Sequence, residues 1–529
     1  MEDSVDAVVV GGGPNGLVAA NLLVDAGWDV LVLEALPTPG GAVRSAELIE
    51  PGFRNDVFSA FYPMGALSPW VAGMGLAEHG LRWRHAPAAL AHVLPDDRCA
   101  VLSRDLAETT SSLAGFAGSD ARAWRAEFAT WRRIRDDLVG ALFDPFPPVR
   151  SGAKLLRSLG AADALRFARL ATTPAAALGA ERFAGEGARL LLAGNALHTD
   201  LGPLQAGSGL FGWLLCMAAQ DVGFPVPAGG AGELSGALVR RLLHRGGRID
   251  CGRPVARVLT ARGRAVGVAD GAGGLVRARR AVLADVPAPT LYRRLVGPDA
   301  LPARLLDDLD AFHWDDATLK VDWNLDGPIP WRNPAAGRAG TVHLGADLTG
   351  LADFATRLAT GRVPEEPFLV LGQMSTSDPG RSPAGTETAW AYTHLPRGVR
   401  WTADDLRRVA DRVERTVERH APGFGALVRG RHVQGPADFE RRDPALVEGA
   451  LNGGSAALHQ QLVFRPVPGL GRADTPVDRL YLAGASAHPG GAVHGGPGAN
   501  AARAALARDG VLGEVYGAVV RGLHGALHR

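Results

Sequence analysis

The first forty residues of this chain hold three different patterns of apolar and polar positions. Asp6-Ala7-Val8-Val9-Val10 is an apolar run that predicts a strand, Gly11 to Gly16 a turn, and Asn15 to Ala26 a helix stopped by Gly27. Trp28 to Leu33 predicts a second strand, ending at Glu34. Neither strand alternates, and unbroken apolar runs suit parallel strands buried on both faces. From about Phe61 the pattern becomes helical. Between Ser119 and Phe143, Trp124, Phe128, Trp131, Leu138 and Leu142 share one side with arginines between them. That is an amphipathic helix, opened by Ser119-Asp120 and closed by the proline-rich run Asp144 to Val149.

Helical sequence continues to about Gln220 and includes the longest apolar stretch, Leu210 to Ala219. It is about half the roughly 20 residues a bilayer span needs. We therefore expect a buried core helix there and no transmembrane segment, with peripheral membrane contact as the other reading. A Gly/Pro cluster at Pro225 to Gly232 marks a boundary, followed by a helix from Leu234 to His244 and a Gly246-Gly247 turn. Strand-like runs follow at Val255 to Val258, Ala265 to Val268 and Ala281 to Ala284. A mixed region over roughly 291–454 contains a helix from Ala403 to His420, capped by Thr402 with Asp405 three residues on. The last segment returns to strand-and-glycine character: Arg479 to Ala483, a Gly-rich turn, then a helix from Ala499.

Length and charge narrow the class. A chain of 529 residues is too long for one simple core and implies two joined domains. Its 56 basic and 55 acidic residues nearly cancel, without a basic stripe, which argues against a nucleic-acid partner. Cys99, Cys216 and Cys251 are far apart with no CxxC, so a disulfide framework, a thiolate zinc site and a redox dithiol are not expected. No metal-ligand spacing occurs among the histidines. With no targeting segment before the first strand, the expected location is cytoplasmic.

The first turn carries the chemistry. Gly11-Gly12-Gly13-Pro14-Asn15-Gly16 satisfies GxGxxG directly after a strand and directly into a helix. Gly11 permits the tight turn, Gly13 lets backbone approach a pyrophosphate, and Gly16 allows close helix–strand packing. Free N–H groups at the helix start favour the phosphates, and Glu34 stands where a carboxylate accepts from an adenosine ribose. Pro39-Gly40-Gly41-Ala42-Val43-Arg44-Ser45 then adds a glycine doublet that folds a loop back under the nucleotide, with Arg44 in reach of a phosphate or on the surface. That element favours FAD over NAD. Near the C-terminus a second Gly-rich loop, Gly484 to Gly498, feeds another helix and offers backbone donors suited to a flavin oxygen. No second strand–GxGxxG–helix exists for NADPH.

GGGPNGLVAANLL, VLVLEA with PGGAVRS, and LYLAGASAHPGGAVHGGPGANAA together resemble the phytoene desaturase superfamily. The likeness is greatest to its bacterial phytoene dehydrogenase-like oxidoreductases, akin to carotenoid isomerases and retinol saturases. The resemblance implies an α/β fold: a discontinuous glutathione-reductase-type FAD-binding Rossmann domain (1–60, 225–290 and 455–529) with an inserted α+β substrate domain (61–224 and 291–454). It implies FAD contacts from Gly11, Gly13, Pro14, Asn15, Gly16, Glu34, Ala35, Gly40, Gly41, Ala42, Arg44, Val255, Gly484, Ala485, Gly491, Ala492 and Val493. Two departures stand out. Ala42 follows the glycine doublet where many relatives have arginine, and Ala485 stands where many FAD folds carry an acid, leaving backbone or Ser486 to substitute.

Family members move a hydride between an activated C–H and flavin N5, chemistry that asks little of side chains beyond positioning and dryness. His488 and His494 flank the flavin-side loop and are the candidate proton carriers; bracing a proline turn and starting the last helix are their structural alternatives. Asp56 and Ser59 mark the passage between domains. Phe58, Ser59 and Tyr62 are the candidate substrate contacts, and Phe61, Trp70, Trp124 and Trp131 would line an apolar tunnel or pack in a core. The expected function is dehydrogenation of a lipophilic small molecule, with oxygen or a quinone reoxidising the flavin. The alternatives are amine oxidation, a redox-neutral isomerisation, and a non-enzymatic prenyl-binding protein of the Rab GDP-dissociation-inhibitor type.

Overall fold

The computed structural model describes residues 3–529. Two seven-stranded sheets carry the fold, each assembled from distant parts of the chain. In the first, Asp3–Val10 lies parallel between Leu275–Ala284 and Val30–Leu33, and Arg248–Asp250 extends the row beyond Val30–Leu33. Leu480–Leu482 pairs in parallel with Val282 to Ala284, so the last strand joins the sheet that the first one begins. Val255–Ala261 and Arg264–Asp270 complete one edge as an antiparallel hairpin.

The unbroken apolar runs are buried on both faces, as parallel strands require. Helices Pro14–Asp25, Gly232–His244 and Gly496–Asp509 cover one face through Leu17, Leu234 and Ala501. Leu291, Leu305 and Leu309 cover the other, against Val8, Leu31 and Val282. The first helix starts at Pro14, whose fixed φ suits the first helical position.

The second sheet runs Val428–Gln434, Ala317–Leu325, Glu387–Leu395, Leu369–Gln373, Ala339–Leu344, Ala88–Val93, Cys99–Leu102. It is antiparallel except where Ala339–Leu344 meets Ala88–Val93. One face packs Leu319, Val321 and Trp323 on Val409, Val413 and Val417 of helix Ala403–His420. That helix has the expected bounds and its full capping box at Thr402 and Asp405. The opposite face is turned towards the first sheet.

Four helices, Asp120–Phe143, Val149–Thr172, Glu186–Ala196 and Ser208–Asp221, form the remaining core around Trp124, Trp131 and Trp213. The proline-rich run after Phe143 interrupts the helices only briefly. The apolar stretch from Leu210 lies in Ser208–Asp221 as a core helix, packed so closely that a Cβ on Gly212 would stand 2.2 Å from the Leu192 carbonyl oxygen. Trp124 and Trp131 are fully buried here, with indole N–H groups on Gln220 and Asp221. They pack a core and line no tunnel. Among the described residues, no helix is long and apolar enough to cross a membrane.

The two ends of the chain meet where Gly496–Asp509 lies against Pro14–Asp25: a Cβ on Gly498 would be 1.9 Å from the Asn15 carbonyl oxygen. Gly498→Ala is therefore expected to lower the unfolding midpoint, by overpacking of about 1–3 kcal/mol. Gly522→Ala, in the last helix with open space around it, is expected to raise it by about 0.5–1 kcal/mol. Denaturant titration of both variants checks the pair; equal shifts would show that the contact between the two ends is not tight.

Candidate functional site

The strand Asp3–Val10 delivers Gly11 at φ +96°, a conformation glycine adopts freely. A Cβ on Gly11 would be 2.6 Å from the Asp285 carbonyl, and one on Gly16 would be 2.2 Å from the Gly11 carbonyl. The turn is thus pressed between a strand end and its own helix. Gly13 has no side chain to cap that helix and no acidic residue sits in its first turn; the Asp285 carboxylate takes the Gly16 N–H, and the rest of the positive end faces the cavity. Glu34 accepts the N–H groups of Gly12 and Leu36, each at 2.7 Å. The glycine doublet lies on this turn: the Gly40 N–H bonds the Gly12 carbonyl at 2.8 Å, and a Cβ on Gly41 would be 3.0 Å from the Gly13 Cα.

The C-terminal loop closes the other side. A Cβ on Gly484 would be 2.6 Å from the Val286 carbonyl, and one on Gly491 would be 2.7 Å from the Asn452 Cα. Ser486 accepts the Ala288 N–H at 3.1 Å and donates to the Gly453 carbonyl at 2.8 Å. Arg465, 2% exposed, ties these loops together by donating to Asn452 (3.0 Å), Ser455 (3.0 Å) and Ala485 (2.7 Å) carbonyls. Burial pulls its pKa down to about 10.

Between these loops and the second sheet lies a cavity of about 600 Å³, well within the range of small-molecule sites. Its wall includes Gly11, Gly13, Pro14, Asn15, Glu34, Ala35, Gly41, Ala42, Val255, Gly484, Ala485, Gly491, Ala492 and Val493. Phe58, Ser59, Tyr62, Phe61 and His494 line it too. Gly16, Gly40, Arg44 and His488 stand behind the lining. Gly16 lies inside the helix, its N–H on the Asp285 carboxylate at 2.7 Å. Arg44 does not turn towards the phosphate side: it donates to the Gly41 (2.8 Å) and Arg442 (2.6 Å) carbonyls and covers the Phe58 ring.

The two candidate proton carriers are held by backbone. His494 Nδ1 accepts the Gly496 N–H and Nε2 meets the Gly491 carbonyl at 2.9 Å, so both ring nitrogens are spent within one loop. His488 Nε2 meets the Asp144 carbonyl at 3.2 Å, and its ring lies edge-on to Phe146. Burial lowers both to about 4, so they are neutral at ordinary pH. The geometry gives them the bracing role. Asp56 is likewise structural, fully buried against Arg381 at 2.6 Å, and Trp70 stacks half-buried under Arg503.

Several lining groups escape sequence reasoning. Asp285, at the end of Leu275–Ala284, places its carboxylate under the first turn, and burial pushes its pKa up to about 7. Thr318, Lys320, Thr341, Val370, Trp390 and Tyr392 enter from the second sheet, and His198 from the turn after Glu186–Ala196. Strand Ala317–Leu325 did carry a signal: Thr318, Lys320, Asp322 and Asn324 alternate with apolar residues, and all four are buried. A polar face that never sees bulk water must face a site or a network.

Comparison with known proteins agrees with this geometry. A family model described as NAD(P)-binding Rossmann-like domain matches residues 9–71. The chain is 29% identical to pyridine nucleotide-disulfide oxidoreductase domain-containing protein 2 of Mus musculus, over 95% of this chain and 93% of that protein. It is 29% identical to hydroxyneurosporene desaturase of Cereibacter sphaeroides, over 92% of this chain and 94% of that one. A solved oxidoreductase from Methanosarcina mazei shares the fold, with a TM-score of 0.61 at 16% identity over 94% of this chain and 99% of that chain. These relatives are oxidoreductases matched nearly end to end. Over nearly its whole length the chain is similar to phytoene desaturase-like oxidoreductases.

Proposed function

We propose that this chain holds one FAD and dehydrogenates a lipophilic small molecule, with hydride passing to flavin N5 and electrons leaving to oxygen or a quinone. One observation carries the reading: a single cavity touches the glycine turns from both ends of the chain and the aromatic wall of the second sheet. The residues fit the cofactor. The helix start carries no acidic residue in its first turn, and a Cβ at Gly13 would stand 2.7 Å from the Asp285 carboxylate, so only a bare backbone lies where a diphosphate would approach the helix end. Glu34, Ala35 and Val255 would hold the adenosine end, Gly11 to Asn15 with Gly41 and Ala42 the diphosphate, and Gly484, Ala485 and Gly491 to Val493 the flavin. In this reading residues 1–60, 225–290 and 455–529 form the FAD domain, and the inserts 61–224 and 291–454 form the substrate domain.

When bound, FAD supplies the hydride acceptor. The chain's own residues do the rest. Phe58, Phe61, Tyr62 and Trp390 exclude water and present an apolar wall to the substrate. Ser59 donates to the Ala42 carbonyl at 2.7 Å and meets the Tyr62 hydroxyl at 2.9 Å, fixing this wall against the glycine doublet. His494 holds the loop Gly491 to Gly496 in one shape.

The purified protein should show flavin absorbance with one FAD per chain, and Gly13→Val should abolish FAD uptake. A colourless wild-type protein would favour the binding-protein alternative. Anaerobic mixing with a lipophilic substrate should bleach the flavin lastingly, whereas an isomerisation leaves it unchanged at the end of turnover.

Asp285 adds a pH dependence. Its carboxylate faces the first turn, with Asp443 and Glu34 also raising its pKa, and once ionised it opposes an incoming diphosphate. FAD affinity should fall on the order of tenfold between about pH 6 and pH 8, and Asp285→Asn should flatten that fall. The folded pKa lies above the ordinary carboxylate value, so the group's contribution to apoprotein stability is full below about pH 4 and lost as pH rises through about 7. Thermal midpoints of wild type and Asp285→Asn across that window, read beside FAD titrations, check both; parallel curves would sink the assignment.

A further inference from the structure

The cavity wall on the second sheet is neither a hydrocarbon surface nor a charged one. Register fixes its layout. Tyr392 stands opposite Lys320 on one side and Val370 on the other, while Trp390 and Thr341 both stand opposite Gly372. Successive pairs place Lys320, Tyr392, Trp390, Val370 and Thr341 on one face, because side chains alternate with period two. His198 closes over this face: its Nε2 lies 2.7 Å from His343 Nε2, and His343 stands opposite Val370. Tyr392, Thr341 and His198 thus surround the apolar patch of Val370 and Trp390.

Thr341 is 1% exposed, and its hydroxyl has no hydrogen-bond partner among the described residues. A buried hydroxyl directed at a ligand chamber without a partner is a demand for one. The charges around it are cancelled. Lys320 donates its ammonium to Asp322 and to the Asp56 carbonyl, and Asp56 pairs with Arg381. Asp200, beyond Tyr392, lies against His394 at 3.0 Å and is held towards its neutral form by burial. His198, His343 and His92 are neutral for the same reason. On this face an ammonium meets no unpaired carboxylate and a carboxylate no unpaired cation; Asp285 and Asp443, which also line the cavity, stand by the first turn and the glycine doublet. Among the described residues, no group of three His, Cys, Asp or Glu is placed to hold a metal ion.

We propose that the substrate is a neutral oxygenated lipophile, whose carbonyl or hydroxyl group is recognised by Thr341 with Tyr392 and His198 while Val370 and Trp390 hold its carbon frame. This rests on reading the cavity as the substrate chamber of a flavin enzyme, and it excludes bare hydrocarbons and amines as preferred ligands.

The test uses the purified holoprotein and three ten-carbon probes of matched shape: 2-decanone, decane and decylamine. Dissociation constants come from isothermal titration. The ketone should bind on the order of tenfold more tightly than either other probe, the worth of one well-placed buried hydrogen bond. Thr341→Val and Tyr392→Phe, which keep shape and remove hydroxyls, should each narrow that gap, and the double variant should narrow it further with decane affinity unchanged. Decane or decylamine binding as tightly as 2-decanone overturns the proposal, whether or not the variants fold. So does a ketone preference that is undiminished in the folded double variant. Flavin absorbance of the same samples tests the parent reading separately: a colourless protein that still prefers the ketone loses the flavin assignment and keeps this one.

Discussion

Backbone meets backbone at Gly498 and Asn15, and the cofactor side of the cavity depends on that contact. The two residues are separated by almost the whole chain, and closing so long a loop has an entropic cost that contacts between its ends must offset. Strand Leu480–Leu482 does part of this by pairing beside Val282 to Ala284. The helix contact completes it and sets the positions of Gly484 to Val493 relative to the first turn. Larger residues would force the two helices apart, since a side chain at Gly498 has nowhere to go. Arg465 adds fine position: one guanidinium holds carbonyls from Asn452, Ser455 and Ala485. Its burial is tolerable because those carbonyls replace water as hydrogen-bond partners.

The second sheet solves a different problem. It buries Lys320, Asp322, Asp56 and Arg381, four charges that sum to zero. Buried ion pairs seldom add net stability, because desolvation consumes most of their attraction. Their worth here is geometric. Asp56 also accepts the Ser45 hydroxyl at 2.8 Å and the Ala231 N–H at 2.7 Å, so the network fastens the second sheet to the segment that carries the glycine doublet. The angle between the two cavity walls is thereby fixed by directional bonds, where apolar packing alone would let them slide.

How much was legible in the chain follows from how local each feature is. The first turn, Glu34 and the glycine doublet lie within about thirty residues of one another, and their roles follow from backbone geometry; all three motifs reach the cavity. The capped helix Ala403–His420 was legible for the same reason. Side-chain direction was not. Arg44 occupies the expected stretch, yet nearby carbonyls capture its guanidinium, and His494 spends both nitrogens inside its own loop. Trp124 and Trp131 kept the expected helix face, but that face meets other helices. Asp285 and Arg465 gave no signal, because each acquires its role only when strands and loops distant in sequence pair. Thr318 to Asn324 lay within a region described only as mixed, and covering by the first sheet makes their polar face interior.

The two walls therefore divide the chemistry unequally. On the glycine side, recognition is by main-chain groups and the absence of Cβ atoms, which constrains sequence tightly and serves a cofactor of constant shape. On the sheet side, recognition is by side chains on a rigid register, where Thr341, Val370, Trp390 and Tyr392 can be exchanged singly without disturbing strand pairing. Glycine motifs consequently speak to the cofactor and are silent about the substrate. Selectivity has to reside in the inward face of the second sheet. On that face the bonds that cancel every charge also leave hydroxyl and imidazole groups as its polar features, so a ligand is sorted there by whether it can offer an uncharged hydrogen-bond partner.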